Sequence, residues 1–307
     1  MRARGMCLIA SMVVLAGCED FDLGGLNDRY REDFHFSYPL AEGGTIELEN
    51  LNGSVEISGW DKNTVDVDGT KYANTETRLH EMKIDVQVTA GSVMIRTVPP
   101  IDRHGNAGAR YVLHVPRHAE LSNIVTSNAP IRVTDMDGAA HLRTSNGSVR
   151  VSDIRGMVDA RTSNGPVELA GVTGDATLHT SNGSIHADVK KGRFEATTSN
   201  GSITARLIET DQSPVRLESS NGHIDLTMEA PREVHARTSN SSITVHMPSS
   251  AGAMVRAHTT NSSVSSDFDV SVHGGLLSRH QLEGTIGAGG PLLDLNTSNG
   301  AITLTRL

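Results

Sequence analysis

The sequence is short of what packs a conventional globular core or builds a reactive site. Aromatic residues make up 3% of its 307 residues and Trp60 is the one tryptophan, which excludes a large core of packed rings. The two cysteines, Cys7 and Cys18, both lie near the N-terminus. A disulfide framework and a cysteine-ligated zinc site are therefore excluded from the body of the chain. Positive charge is not in surplus: 27 Lys and Arg stand against 36 Asp and Glu, a net −9. Nucleic acid, whose phosphates need a basic surface, is excluded as a partner, and anionic headgroups offer no general attraction. Among the 14 histidines no HxH or HExxH spacing occurs, so they read as solvated surface groups rather than metal ligands. No cofactor is implied.

What is present begins with a targeting signal. Arg2 and Arg4 precede the apolar run Met6 to Ala16, then Gly17 and Cys18. Charged, apolar and small-residue regions in that order mark a signal peptide over 1–17. The run is too short to span a bilayer, which takes about 20 apolar residues. Leu15-Ala16-Gly17-Cys18 resembles the bacterial lipobox, which implies that Cys18 is lipidated and becomes the mature terminus. The expected membrane partner is thus reached through a lipid anchor. Glu19, by resemblance to sorting signals of diderm bacteria, implies the outer membrane. Residues 18–33 read as an acidic, Gly-containing tether, with a short docked helix as the alternative.

The rest is organised by repetition. Thr-Ser-Asn recurs at Thr126, Thr144, Thr162, Thr180 and Thr198, each 18 residues after the last, with looser copies at Ser219, Thr238, Thr259 and Thr297. A fixed period near 20 residues is the mark of a solenoid. Counting the Thr as zero, positions five, seven, fourteen and sixteen are apolar, as in Val149, Val151, Val158 and Ala160. Period two predicts two strands per coil with one face buried. Position twelve is glycine at Gly138, Gly156, Gly174 and Gly192, fitting a turn with positive φ or a close backbone approach. The expected fold is all-β, a parallel β-helix of ~18–21-residue coils.

Continued alternation would point Asn128, Asn146, Asn164, Asn182 and Asn200 inward, with Asn221, Asn240, Asn261 and Asn299 in the looser coils. At strand spacing their amides can bond as a buried ladder. The competing arrangement keeps them at a corner, since Asn-Gly favours tight turns. Neither makes the asparagines catalytic.

Residues 34–120 alternate less regularly and read as an N-terminal β cap over the regular coils of 121–307. Asn50-Leu51-Asn52-Gly53 is a degenerate first copy of the repeat, and 74–83 carries helix formers. Thr259 to Thr297 is 38 residues, two coils' worth, with the last coil running almost to the C-terminus.

Asn52-Gly53 followed by Gly59-Trp60-Asp61, the strand end Val115-Pro116, the repeated Thr-Ser-Asn-Gly and Gly284-Thr285-Ile286-Gly287-Ala288-Gly289-Gly290 together carry a resemblance. Over about 40–307 the chain resembles the bacterial candidate-adhesin family, a domain of unknown function with β-strand repeats. The resemblance implies a parallel β-helix on an exported protein and no reaction.

Weighing chemistry, Gly287-Ala288-Gly289-Gly290 lacks the Gly-Lys-Ser/Thr and helix of a phosphate cradle and reads as a Gly-rich corner. Asp135, Asp153, Asp175 and Asp188 are read as occupying different repeat positions, forming no acidic column for calcium. Catalysis would need clustered acids and bases; the aligned columns show none, though a small groove in the first third or around Asp267-Phe268-Asp269 stays open. One outward column, Arg143, Arg161 and His179, suggests an anionic partner, because like charges stacked on adjacent strands repel. Arg132, Arg150, Glu168 and His186 form a second. The expectation is a non-enzymatic, lipid-anchored envelope protein with a binding or scaffold surface for a polysaccharide or protein. A polysaccharide-acting enzyme and an envelope regulatory partner are the alternatives.

Overall fold

The computed structural model describes residues 29–102, 106–209, 213–272 and 278–307. The expected signal peptide 1–17, Cys18 and most of the tether lie outside the described residues. The tether's last residues do not: β1 (Tyr30–Pro39) already begins at Tyr30 and pairs antiparallel with β4 (Thr64–Ala73). Phe34, Phe36 and Tyr38 alternate along it towards the core, so the apolar alternation starts a few residues after the strand itself.

Among the described residues two long sheets face each other, one of 13 strands and one of 14, and each regular coil gives one strand to each sheet. In chain order, β8 (Glu120–Val125) leads into β9 (Ile131–Met136), β10 (Ala140–Arg143) into β11 (Val149–Ile154), and β12 (Val158–Arg161) into β13 (Val167–Thr173). Next, β14 (Ala176–His179) leads into β15 (Ile185–Lys191), β16 (Phe194–Thr197) into β17 (Ile203–Leu207), and β18 (Val215–Glu218) into β19 (Ile224–Met228). The last of this series is β20 (Val234–Arg237) into β21 (Ile243–Met247). All stack parallel, Val149 on Ile131, Val167 on Val149, Val158 on Ala140, with register shifts only between β8 and β10 and between β13 and β15.

Alternation places the core where the period requires it. Ile131, Val149, Val167, Ile185, Ile203, Ile224 and Ile243 are all essentially buried in the first sheet. Facing them, Ala140, Val158, Ala176, Phe194, Val215 and Val234 are buried in the second. Phe194 is the one ring in these columns, and Ala187, Ala196 and Ala205 at buried neighbouring positions leave it room. Such large-with-small pairing keeps a narrow two-sheet core close-packed.

Both caps differ from a simple end-to-end stack. At the N-terminal end, β2 (Thr45–Glu49) and β3 (Val55–Trp60) pair directly with β8 and β9. Residues 44–60 are thus a true coil, not part of an irregular preface. The cap is the excursion after it: β4, α1 (Glu76–Glu81), β5 (Lys83–Val88), β6 (Ser92–Val98) and β7 (Ala107–Pro116). Thr75 caps α1 by accepting from the Arg78 N–H, and Leu79 and Met82 pack on Ala73 and Ala107. Beneath lies a buried polar chain: Thr97 donates to Asn50, Tyr111 and Thr97 share a 2.6 Å bond, and Asn50 donates to Gly53 and Ala109 carbonyls.

The C-terminal end repeats this device. β22 (Ala253–Thr259), β23 (Val264–Ser266), β24 (Val270–Val272) and β25 (Gln281–Ile286) form the cap, with β25 antiparallel to both β22 and β24. The final coil, β26 (Leu292–Thr297) and β27 (Ile302–Arg306), does not lie outermost as chain order would have it. It slides between β20–β21 and β22–β23, pairing with both. Phe268 is buried in this cap beneath the Arg306 guanidinium, 5.4 Å from its ring centre, so Asp267-Phe268-Asp269 is a plug and not a groove. The Gly-rich run is a tight turn, with Gly287, Gly289 and Gly290 at positive φ.

Candidate functional site: the corner and its flanking trough

Each coil turns from the second sheet to the first through Thr-Ser-Asn-Gly. The Thr is the buried member: Thr126, Thr144, Thr162, Thr180 and Thr198 are all nearly inaccessible. Its hydroxyl joins two coils. Thr162 Oγ1 donates to the Gly147 carbonyl at 2.9 Å and accepts from the Gly165 N–H at 3.3 Å. Thr144, Thr180, Thr198, Ser219 and Thr297 repeat the pair of bonds. Where the corner residue is Ala129, Ser241 or Ser262 the N–H bond to the Thr is not made, and Thr126 Oγ1 is left buried without a partner.

The asparagines do form a ladder, and it runs on the outside. Asn146 donates to Asn128 at 2.6 Å, Asn164 to Asn146 at 2.6 Å and Asn182 to Asn164 at 2.7 Å. The series continues through Asn200, Asn221 and Asn240, then Asn299 and finally Asn261. Asn52 begins it, accepting from Asn128. Apart from the half-buried Asn52 these residues are exposed, so inward alternation stops at the Thr and the Ser-Asn-Gly bend turns the amide out to solvent. Beside it runs a column of serines, with Ser145, Ser163, Ser199, Ser220, Ser239 and Ser298 exposed.

In the regular coils the residue before the Thr closes the strand of the second sheet. Arg143, Arg161 and His179 stand there in register and exposed, as the sequence predicts. Arg161 reaches Asp159 at 3.0 Å, while Arg143 makes no ion pair among the described residues. The line does not stay basic: it continues through Thr197, Glu218, Arg237, Asn296 and His258. On the other sheet Arg132 and Arg150 are adjacent, but Arg150 is engaged by Glu168 at 2.9 and 3.3 Å, which raises its pKa.

The structure adds a feature the sequence reading missed. Between this line and the serine column lies a trough of about 510 Å³ that begins at Thr197, where the basic triplet ends. Its walls include Arg237, His258 and Ser199, Ser220, Ser239 and Ser298. The change of side chain before the Thr, from Arg and His to Thr197, was the available signal. Recognising it requires knowing that 296–298 stacks between 237–239 and 258–260.

Asp135 and Asp153 occupy the same coil position, at φ 58° and 54°, so they are stacked rather than scattered. Arg117 bonds Asp61 at 2.8 Å and reaches Asp135 at 3.7 Å, and Arg155 holds Asp137 at 3.1 Å, so this corner is an ion-pair network. Among the described residues no group of three or more His, Cys, Asp or Glu comes together as a metal site. Ser58 and His114 bond at 2.7 Å, with Trp60 stacked on the imidazole. Tyr111, desolvated by burial, has its pKa pushed up to about 12. Among the described residues no helix is long and apolar enough to cross a membrane.

A family model described as Toastrack DUF4097 matches residues 39–235. Comparison with curated proteins finds no match. Among solved structures, a candidate cell adhesion protein from Clostridium sporogenes is 13% identical, covering 90% of this chain and 100% of that one at TM-score 0.24. A candidate lipid binding protein from Parabacteroides distasonis is 10% identical, covering 92% and 98% at TM-score 0.35. A candidate adhesin from Bacteroides fragilis is 13% identical, covering 90% and 97% at TM-score 0.25.

Proposed function

The chain belongs to the Toastrack DUF4097 family, and on that footing we propose that it is a lipid-anchored, non-catalytic protein of the cell envelope that binds through its solenoid surface. The observation that carries this reading is the exposed corner: ten asparagines joined by nine side-chain bonds of 2.6–2.8 Å, with serines alongside. An ordered polar array fixed to a rigid stack presents many equivalent weak contacts, and such contacts add up along an extended partner. Catalysis calls for the opposite, a local group of perturbed acids and bases in a cleft. The anchor rests on Leu15-Ala16-Gly17-Cys18, and Glu19 supports the outer membrane as its destination.

Fractionation and mass spectrometry of the full-length protein test the anchor. Wild type is expected in the membrane fraction with a lipid-modified Cys18 at its terminus, and Cys18→Ser in the soluble fraction or unprocessed. Affinity capture from native envelope, with an assay for new reducing ends, tests the rest. Retention of envelope material without turnover is the expected result. An unmodified terminus elsewhere removes the anchor, and release of reducing ends removes the non-catalytic reading.

A further inference from the structure

Resting on the envelope-binding reading, we infer that the trough beginning at Thr197 is the binding site, and that its ligand is a hydroxyl-rich, weakly charged polysaccharide chain lying along the stack axis. Three observations converge on it. First, shape: the trough crosses five strands, those carrying Thr197, Glu218, Arg237, Asn296 and His258 in register. Four inter-strand steps of ~4.8 Å make it about 19 Å long, the proportions of an extended chain rather than a compact metabolite.

Second, the chemistry of the walls suits neutral hydroxyls. The Ser199, Ser220, Ser239 and Ser298 side chains are exposed and make no hydrogen bond within the protein among the described residues. Each hydroxyl both donates and accepts, as a sugar hydroxyl requires. Charge along the trough is mixed: Glu218 is held by Arg216 at 3.4 Å, and Arg237 lies 3.7 Å from Asp294. A polyanion finds no continuous basic strip there, because Arg143 and Arg161 lie beyond its end.

Third, the walls are fixed in advance. The Thr198, Ser219, Thr238 and Thr297 hydroxyls below them are bonded into the coil beneath. The asparagine ladder locks the far side of the same corner. A wall that does not reorganise on binding keeps more of its contact energy as affinity. The trough has no aromatic platform, so each sugar is held weakly and affinity depends on the number of coils engaged.

The test uses the full-length protein in detergent, immobilised and exposed to two soluble neutral polysaccharides, a β-glucan and a mannan, and to anionic polygalacturonate. Binding of a neutral chain, strengthening with chain length, is expected. Ser220→Gln with Ser239→Gln fills the trough from exposed positions and should weaken that binding at least about tenfold, with the melting temperature unchanged. Arg143→Ser with Arg161→Ser should leave it intact. Preference for polygalacturonate lost with the arginine pair, or filled-trough variants that bind like wild type, would overturn the assignment. Capture of native envelope material without binding to either neutral chain would remove the polysaccharide while sparing the envelope-binding reading. Reducing ends released from a bound chain would keep the trough and overturn the non-catalytic reading instead.

Discussion

Gly165 lies so closely over Gly147 that a Cβ on Gly165 would overlap the Gly147 carbonyl oxygen. The same holds for Gly183 over Gly165 and Gly201 over Gly183. None of these glycines has a positive φ, so what demands glycine is the approach of one backbone to the next. Close approach also brings the Gly147 carbonyl within reach of Thr162 Oγ1, which donates to it across the two coils.

Gly165→Ala must push two coils apart and break that bond. Overpacking costs about 1–3 kcal/mol and a buried bond about 1 kcal/mol, so a loss of about 2–4 kcal/mol is expected in urea unfolding. Gly91→Ala, where nothing lies within 4 Å and φ is ordinary, should be within about 0.5 kcal/mol of wild type. Similar midpoints for the two variants would remove the contact argument.

Thr162 and Asn164, two residues apart, should respond in opposite measure. Thr162→Val leaves a buried carbonyl and a buried N–H unpaired, an expected loss of about 2–4 kcal/mol. Asn164→Asp still accepts from Asn182 and loses the donation to Asn146. Both groups are exposed to water, so the cost should be no more than about 1 kcal/mol. Asn299→Asp should cost the same as Asn164→Asp, because Asn299 sits between Asn240 and Asn261 rather than at the end of the ladder. A larger loss for Asn164→Asp than for Thr162→Val would restore a buried ladder.

The regular coils were legible because their signal is local and redundant. Val149 and Val151 alternate with Arg150 and Ser152, and the next coil says the same. The direction of Asn146 was not legible, since alternation cannot be carried through a bend whose geometry depends on the coil beneath. Stack order was hidden for a different reason. Ile302 pairs with both Ile243 and Val264, and no periodicity in the chain distinguishes that from sequential stacking. The trough depends on both facts, so it was out of reach, although its neighbours Arg143, Arg161 and His179 were found.

Tyr111 gives the N-terminal cap an alkaline limit. Its phenol is buried against Thr97 and its pKa is pushed up to about 12, against about 10 in an unfolded chain. Between those values the unfolded chain releases a proton that the folded one keeps, so stability falls as pH rises from about 10 to about 12. Two pKa units correspond to about 2–3 kcal/mol. Urea titrations of wild type at pH 9 and 11.5 should show a drop of this order. Tyr111→Phe, less stable at pH 9 through its lost bond to Thr97, should show a drop smaller by that amount. Equal drops in both proteins would assign the alkaline loss to other groups.

The order of the C-terminal coils can be read directly by cross-linking. Adjacent parallel strands stand ~4.8 Å apart, within reach of a disulfide, whose Cα separation is usually about 4.4–6.8 Å. Thr244 and Thr303 are register partners, and Thr303 and Ser265 are the next such pair. Thr244 and Ser265 are therefore two strands apart, at about 10 Å, too far to bridge without moving the backbone. Were the coils stacked in chain order, β21 would meet β23 and Thr244 would face Ser265 instead. Thr244→Cys with Thr303→Cys should oxidise readily to a species of altered gel mobility that reductant reverses. Thr244→Cys with Ser265→Cys should remain reduced under the same conditions. The opposite result would place β26 and β27 outermost. It would also part Arg237 from Asn296 and leave the trough without the wall that Ser298 supplies.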